Sequence, residues 1–489
     1  MQKKLSCGLL AVLALSGAAN AKGPETNEAV TARHYASLVQ GQEPKLAELT
    51  FFMSQMPKGG DLHHHYSGAI YVEQYLQFLD KTGYCVNKAT YRIETDKAVI
   101  EAERAKRACL NAAEVYADDF TWRELLQRWS SKDFNNHGAI QPPPDRQFFQ
   151  TFGYFGPVSN TNFHDGLVEL KKRALLENIS YIETMFKMSP SVANADFDAR
   201  AWQLAGDDAA FDALLAGWME QLDKDPAFAK AVSDFVAKIE DAATGIDDEN
   251  FTMRYQTYVL RLLNPSQVFS SMVSGFKAAK ASDKIVGVNI VGQESTAVSM
   301  RDYAIHMKMF RFLKKLHPDV KVALHAGELA LGDVPPDQLK FHIDQALNVA
   351  QANRIGHGID LAHESNAAAI MKTMREKGIP VEINLTSNAF ISGVQGANHP
   401  LTLYRKYGVP YVISTDDEGV TRHNLSNEYV LFASRYKPGY AEVKKASYAS
   451  IRYSFLPDAE KKRLARQLDQ RFAAFESRIA ELEKHQAPR

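Results

Sequence analysis

Six short runs rich in apolar and β-branched residues end in polar, chemically able side chains, and helical stretches separate them. The runs are ISYIETMF (179–186), IVGVNIVG (285–292), KVALHAGE (321–328), RIGHGID (354–360), VEINLTSN (381–388) and YVISTDDE (411–418). Among the intervening stretches are MRDYAIHMKMFRFLKKL (300–316), DQLKFHIDQALNVA (337–350) and ESNAAAIMKTMREKG (364–378), with apolar residues at helical spacing. Strands that alternate with helices predict parallel βαβ units, hence an α/β fold. Polar residues at the carboxyl ends of the runs suit a (β/α)8 TIM barrel, where active sites form at that end. A doubly wound open sheet is the competing architecture. It would usually carry a glycine-rich phosphate loop after its first strand, and none is found here.

The 489 residues suffice for one large domain with insertions or for two or three smaller ones. At 45% hydrophobic and 24% charged, the chain should pack a core. Residues 84–145 fit the alternation poorly. They hold Cys85, Cys109, a charged helix-like stretch (TDKAVIEAERAKRACLNAAEVYADDF) and a PPP breaker at 142–144. We read them as a small subdomain inserted after the first strand. The expected organisation is a leader over 1–21, an N-terminal extension over 22–55 and the barrel over 56–489. The tail from Asp458 to His485 has helical period and is expected to pack on the barrel surface.

The N-terminus pairs Lys3 and Lys4 with an apolar stretch from Leu9 to Leu15, followed by Ala19-Asn20-Ala21. This is the pattern of a secretory leader cleaved after Ala21, and the apolar run is too short to span a bilayer. A periplasmic or secreted, membrane-free protein is expected. Cys7 would leave with the leader. The two remaining cysteines, in an oxidising compartment, favour a Cys85–Cys109 disulfide over two buried thiols. Net charge is −1, becoming about −3 without the leader's lysines, and no basic stripe stands out, so nucleic acid is not an expected partner.

GDLHHHYSG (60–68) places three histidines in a row. If LHHHY ends a strand, His63 and His65 share one face and His64 takes the other. Alone, this His-x-His is weak. Other strand ends add His325 and Glu328, His357, and Asp416 with Asp417. His63, His65, His325 and Asp416 make an imidazole–carboxylate set suited to zinc with an open position for water. Such an ion lowers the pKa of bound water toward about 7. A neighbouring carboxyl could act as general acid, and an imidazole could orient the water.

With these motifs in place, the sequence resembles the adenosine deaminase family of the metal-dependent amidohydrolase superfamily. MPKGGDLHHHYSG, FFQTFGYF, VGVNIVGQE, HAGE, RIGHGI, NHPLTLYRKYGVPYVISTDDE and YSFLPDAEKK occur in the family's order. The leader, the MPKGG start and the cysteine-bearing insertion look like the secreted, growth-factor-type branch. The resemblance implies a (β/α)8 barrel with one zinc ion per chain, held by His63, His65, His325 and Asp416. It implies that Glu328 protonates purine N1, which asks for a pocket that raises its pKa. It implies that His357 orients the attacking water, that Asp416 also takes the water's proton, that Asp417 meets N7 and that the Gly292 backbone meets N3. The reaction would turn adenosine or deoxyadenosine into inosine-type product and ammonia.

Two positions depart from the family pattern. The aspartate that usually contacts the ribose 5′-hydroxyl is Ser67, and the proline after the paired aspartates is Glu418. Ser67 leaves open another aminopurine or modified nucleoside as substrate; a non-catalytic nucleoside-binding protein is the non-enzymatic alternative. Trp122 and Trp129 could cover a nucleoside or simply pack the insertion. An oligomer is compatible with the sequence.

Overall fold

The computed structural model describes residues 25–135 and 141–486. The expected leader, with Cys7, lies outside the described residues. Eight parallel strands form the centre: β1 (Gly59–His65), β2 (Ile179–Met188), β3 (Thr252–Leu260), β4 (Ile285–Val291), β5 (Ala323–Ala326), β6 (Arg354–His357), β7 (Val381–Ile383) and β8 (Tyr411–Ile413). β1 to β4 pair in chain order, as do β5 to β8. Single parallel bridges, Val288 with Val322 and His64 with Asp416, join the two halves on both sides. The strands therefore close into a (β/α)8 barrel, which the open-sheet alternative cannot do.

Helices on the outside return each strand to the next, as parallel pairing requires. Pro265–Ala281 links β3 to β4, Ala297–Leu316 links β4 to β5, and Ala367–Lys377 links β6 to β7. The last of these buries Ile370, Met371 and Met374 on one face. It stops at Gly378, whose φ of 66° provides the left-handed cap that glycine adopts most readily. The long helix Asp458–Gln486 buries Leu464, Leu468, Phe472, Phe475 and Ile479 and packs against Asn27–Val39. It is the surface helix read from the tail's periodicity.

The path from β1 to β2 carries the poorly fitting segment. Three short antiparallel strands, Cys85–Asn87 between Ile93–Glu94 and Cys109–Leu110, form a separate small sheet. Cys85 and Cys109 are joined in a disulfide with Cα atoms 5.5 Å apart, and with Ile100 they form a satellite core distinct from the main one. The charged stretch expected as one helix is instead Lys97–Ala105, a strand, then Ala112–Ala117. Arg107 takes a φ of 56° and breaks the first helix before Cys109 reaches its partner.

One strand was not among the expected runs, and one expected run is corrected. β3 escaped notice because Arg254 and Gln256 interrupt its apolar run; Gln256 is buried inside the barrel, where it hydrogen-bonds Glu183. VEINLTSN is a strand only over its first three residues, and Leu385–Ser392 is a helix whose first amides are held by the Glu428 carboxylate.

Candidate active site

β1 alternates as a strand must, so its three histidines divide. His64 points away from the axis and its Nδ1 lies 3.0 Å from Thr184 Oγ1. His63 and His65 meet His325 from the end of β5 and Asp416 from just beyond β8. His65 Nε2 is 3.2 Å from His325 Nε2 and 3.2 Å from Asp416 Oδ1, and His63 Nε2 is 3.4 Å from the same oxygen. One ligand atom from each of the four residues lies within 4.8 Å of all the others.

Asp416 reaches this point through a φ of 63°, a conformation that costs an aspartate on the order of 1 kcal/mol. The barrel closure holds it there. Its N–H donates to the His63 carbonyl at 2.7 Å, and its carbonyl accepts from the His65 N–H at 3.1 Å.

The cluster fits a divalent cation. His325 Nδ1 faces Asn289 Oδ1 at 2.9 Å, and that oxygen also accepts the Ile290 N–H, so it is an acceptor and the His325 proton sits on Nδ1. His63 Nδ1 likewise faces Glu382 Oε2 at 2.7 Å. Both Nε2 atoms are thereby turned to the centre. Burial would push His63 down, but the Asp416 and Glu382 carboxylates outweigh it and raise it to about 10. A cation bound here takes the place of that proton. Asp416, in turn, is held well below the usual carboxylate range, because His63 and His65 outweigh its burial.

A continuous polar chain supports the ligands inside the barrel. It runs from His63 to Glu382, Arg354, Glu183, Gln256, Asn289 and His325, every link a hydrogen bond between buried groups. Burial raises Glu382, but Arg354 and then His63 bring it down to about 2, so it stays ionised behind its ligand. None of these supports was read from the sequence. The signal was there: VEI, RIGH and VNI place charged or amide residues inside strand runs that otherwise read as buried.

Glu328 follows β5. The Glu294 carboxylate accepts the N–H groups of Gly327 and Glu328, at 3.1 and 2.9 Å, and is itself fixed by His342 and Arg261. Burial first, then the charges of Asp416 and Glu294, lift the Glu328 carboxyl well above its ordinary range. Asp417 is raised by the same means, burial first and then Asp416. His357, at a φ of 65°, lies with its ring centroid 4.7 Å from that of His63; burial and then the His63 charge push it down to about 3.

These groups face a cavity of about 380 Å³ whose wall includes Ser67, Gly292, Glu328, His357, Asp416 and Asp417. All the expected metal, catalytic and substrate residues line this cavity except His63, which lies beneath it within the four-residue cluster. Gly68 packs on Asp417: a Cβ there would come 1.5 Å from Asp417 Oδ1, so any other residue would displace the acid. Phe148, Phe149, Phe152, Met185, Met188 and Tyr258 supply the apolar wall. The tryptophans do not. Trp129 is buried with its N–H on the Tyr91 carbonyl at 2.8 Å, and Trp122 packs on Tyr116. Glu418 is buried and ion-paired with Arg173, whose guanidinium also donates to the Ala69 carbonyl; this ties the β8 loop to the helix Phe163–Leu176.

Residues 222–471 match the family model of adenosine deaminase. An adenosine deaminase of Pseudoalteromonas translucida is 29% identical over 259 residues, which is 47% of this chain and 74% of that protein. One from Vibrio parahaemolyticus is 30% identical over 190 residues, 39% of this chain and 52% of the relative, so there the match spans about half the relative's length. The fold also matches the Arabidopsis thaliana N6-methyl-AMP deaminase, with a TM-score of 0.52, 18% identity and coverage of 86% and 98% of the two chains. The family model takes in more than half of this sequence, including β3 to β8 and the HAGE, GHG and TDD ends that form the site, and the chain belongs to the adenosine deaminase family of hydrolytic, metal-dependent deaminases.

Proposed function

We propose that this protein is an exported, zinc-dependent deaminase that converts adenosine and deoxyadenosine to the corresponding inosines and ammonia. The observation that carries the reading is the placement of a proton-holding carboxyl, Glu328, at the wall of an apolar cavity directly above a three-imidazole, one-carboxylate cluster. Zinc in that cluster would supply the Lewis acidity that makes water a nucleophile at neutral pH.

An aromatic purine resists attack by water, and the chain's own groups lower that resistance. Glu328 gives its proton to N1, which draws electrons from C6. His357 orients the water that adds to C6, and Asp416 is placed to receive its proton. Asp417, kept protonated by burial, can donate to N7, while the Gly292 backbone meets N3. Asp416 can then pass that proton to the C6 amino nitrogen, the C6–N bond breaks with loss of ammonia, and the hydroxyl proton remaining on the C6 oxygen leaves to restore Glu328. Among the described residues of the cavity wall none is lysine or arginine, which favours an uncharged nucleoside over a nucleotide. The leader-like N-terminus and the Cys85–Cys109 pairing support export to an oxidising compartment.

A second reading keeps the chemistry and changes the substrate to another 6-aminopurine, because Ser67 stands at the cavity wall in place of the aspartate that the family resemblance leads one to expect for the sugar. Zinc-loaded protein offered adenosine, deoxyadenosine, adenine, N6-methyladenosine and AMP, followed by ultraviolet absorbance and ammonia release, separates the two. A preference for adenosine and deoxyadenosine supports the first reading. A preference for free adenine or an N6-substituted compound replaces it with the second.

A further inference from the structure

His399, in the NHP start of the motif that ends in TDDE, is buried, and neither the metal cluster nor the cavity wall uses it. Its hydrogen bonds nevertheless lead to the active site. The Leu401 backbone N–H donates to His399 Nδ1 at 3.0 Å. A backbone amide can only donate, so this nitrogen carries no hydrogen. Burial, then Arg435, holds His399 down to about 3, so the ring is neutral and its hydrogen sits on Nε2. That N–H points at Asn388 Oδ1, 3.1 Å away. The contact fixes which way round the Asn388 amide lies, and its NH2 group faces His357 Nδ1 at 2.9 Å. Asn384 Nδ2 approaches the same nitrogen at 3.3 Å. Glu328 Oε1, 3.6 Å from it, is beyond hydrogen-bond range.

His357 Nδ1 is therefore an acceptor and its hydrogen is on Nε2. The ligand imidazoles are set the opposite way. His63 and His325 each face an acceptor at Nδ1, so their Nε2 atoms present lone pairs. The four rings crowd together, with centroids of His357 and His325 5.1 Å apart. In the ligand tautomer His357 would turn a further lone pair toward the cation instead of donating to an oxygen.

We infer that Asn388 and His399 are positioning residues that fix His357 as the Nε2–H tautomer, making it a hydrogen-bond donor to the reacting oxygen rather than another imidazole ligand. The catalytic consequence rests on the deaminase reading; the tautomer itself does not. The mechanism is transmission of direction: an obligatory backbone donor sets His399, which sets an amide that could otherwise lie either way, which sets His357.

The test uses the full zinc-loaded chain with 15N-labelled histidine. Long-range proton–nitrogen correlation spectra report which nitrogen of His357 is protonated, with His357→Asn for assignment. The parent should show His357 protonated on Nε2. In Asn388→Asp a carboxylate that can only accept faces Nδ1, and the hydrogen should move there. With it kcat should fall about 100-fold, while KM stays within a few-fold and zinc stays bound. His399→Leu should lower kcat, and His399→Gln, whose amide N–H can still reach Asn388 Oδ1, should restore most of it. A parent His357 protonated on Nδ1 overturns the inference. So does an Asn388→Asp protein that keeps parental kcat, or one that loses kcat with the His357 tautomer unchanged. If His399→Leu does not fold, Asn388→Asp and His399→Gln decide the matter. A parent with the Nε2–H tautomer and no deamination of any purine would sink the functional reading and leave the hydrogen-bond chain standing.

Discussion

The two halves of the barrel are built differently. β1 to β4 run 7, 10, 9 and 7 residues, whereas β5 to β8 run only 4, 4, 3 and 3. The short-stranded half supplies His325, Glu328, His357, Asp416 and Asp417, together with Arg354, Glu382 and Asn388 behind them. The long-stranded half supplies His63 and His65 but also most of the cavity wall and, between β1 and β2, the whole disulfide-bearing insertion. The family match begins at residue 222 and so takes in the second half entirely while omitting Ser67, the aromatic wall and the insertion. Most of the groups proposed for the chemistry thus come from one stretch of chain and most of the cavity wall from another, with His63, His65 and Asp417 crossing that division. In the second half a strand need only be long enough to aim one or two groups, and buried ion pairs hold the loop at its carboxyl end. In the first half, length and insertions shape the space above.

The strongest test of this division is Glu328→Gln. The amide keeps the shape, and the backbone N–H keeps its bond to Glu294, but the side chain cannot give a proton to N1, so kcat should fall about 1000-fold with zinc content unchanged by metal analysis. The same group sets the alkaline limit. Its pKa lies well above the ordinary carboxylate range, so the proton is kept past the pH at which an ordinary carboxyl ionises and is lost as pH rises through the raised value. An unshifted carboxyl would already fail above about pH 4.5. A kcat profile that declines from pH 5 upward would show that the cavity does not protect this proton.

The short-stranded half was also the more legible in sequence. HAGE, GHG and TDD put polar residues at the ends of compact apolar runs, and strand geometry then forces them to one end of the barrel. What was not legible depends on contacts made across the chain. β3 hides because Gln256 belongs to a chain of polar side chains inside the barrel, joining residues as far apart as His63 and Glu382. Gly68 reads as an ordinary turn residue until Asp417, almost 350 positions later, is seen packed on it. The aromatic wall formed by Phe148, Phe149 and Phe152 reads as core, because helical spacing cannot say which face closes a cavity. The tryptophans carried the same ambiguity and fell on the packing side.

Glu382→Gln probes the joint between the halves, since Glu382 on β7 orients His63 on β1. The neutral amide still accepts the Nδ1–H but no longer strengthens the ligand. Zinc affinity should drop about 10- to 100-fold, and activity should return when zinc is raised to saturation. Loss that excess zinc cannot repair would place Glu382 in the chemistry itself. Ser67→Asp then probes the wall. A carboxylate at this position can accept from a sugar hydroxyl, so KM for adenosine should fall about tenfold while adenine is unaffected. An equal change for both compounds would mean that residue 67 does not face the sugar.

The smallest effect on turnover is expected from the insertion. Cys85 and Cys109 lie in a satellite core with Ile100 and do not line the cavity. Replacing both with serine opens a loop closed over a sequence separation of 24, and the chain-entropy relation gives a loss of about 3.5 kcal/mol from the stability of the insertion. The insertion does touch the wall indirectly: Arg92, beside the small sheet, donates to the Gly153 carbonyl of the helix Pro144–Ser159, which carries Phe148, Phe149 and Phe152. A loosened insertion should therefore raise KM by no more than a few-fold and leave kcat alone. Hydrogen exchange should show faster opening over residues 85–110, with β5 to β8 unchanged. A tenfold loss of kcat in a double variant that retains its zinc would mean that the insertion reaches into the chemistry of the short-stranded half, and the division of labour between the two halves would have to be given up.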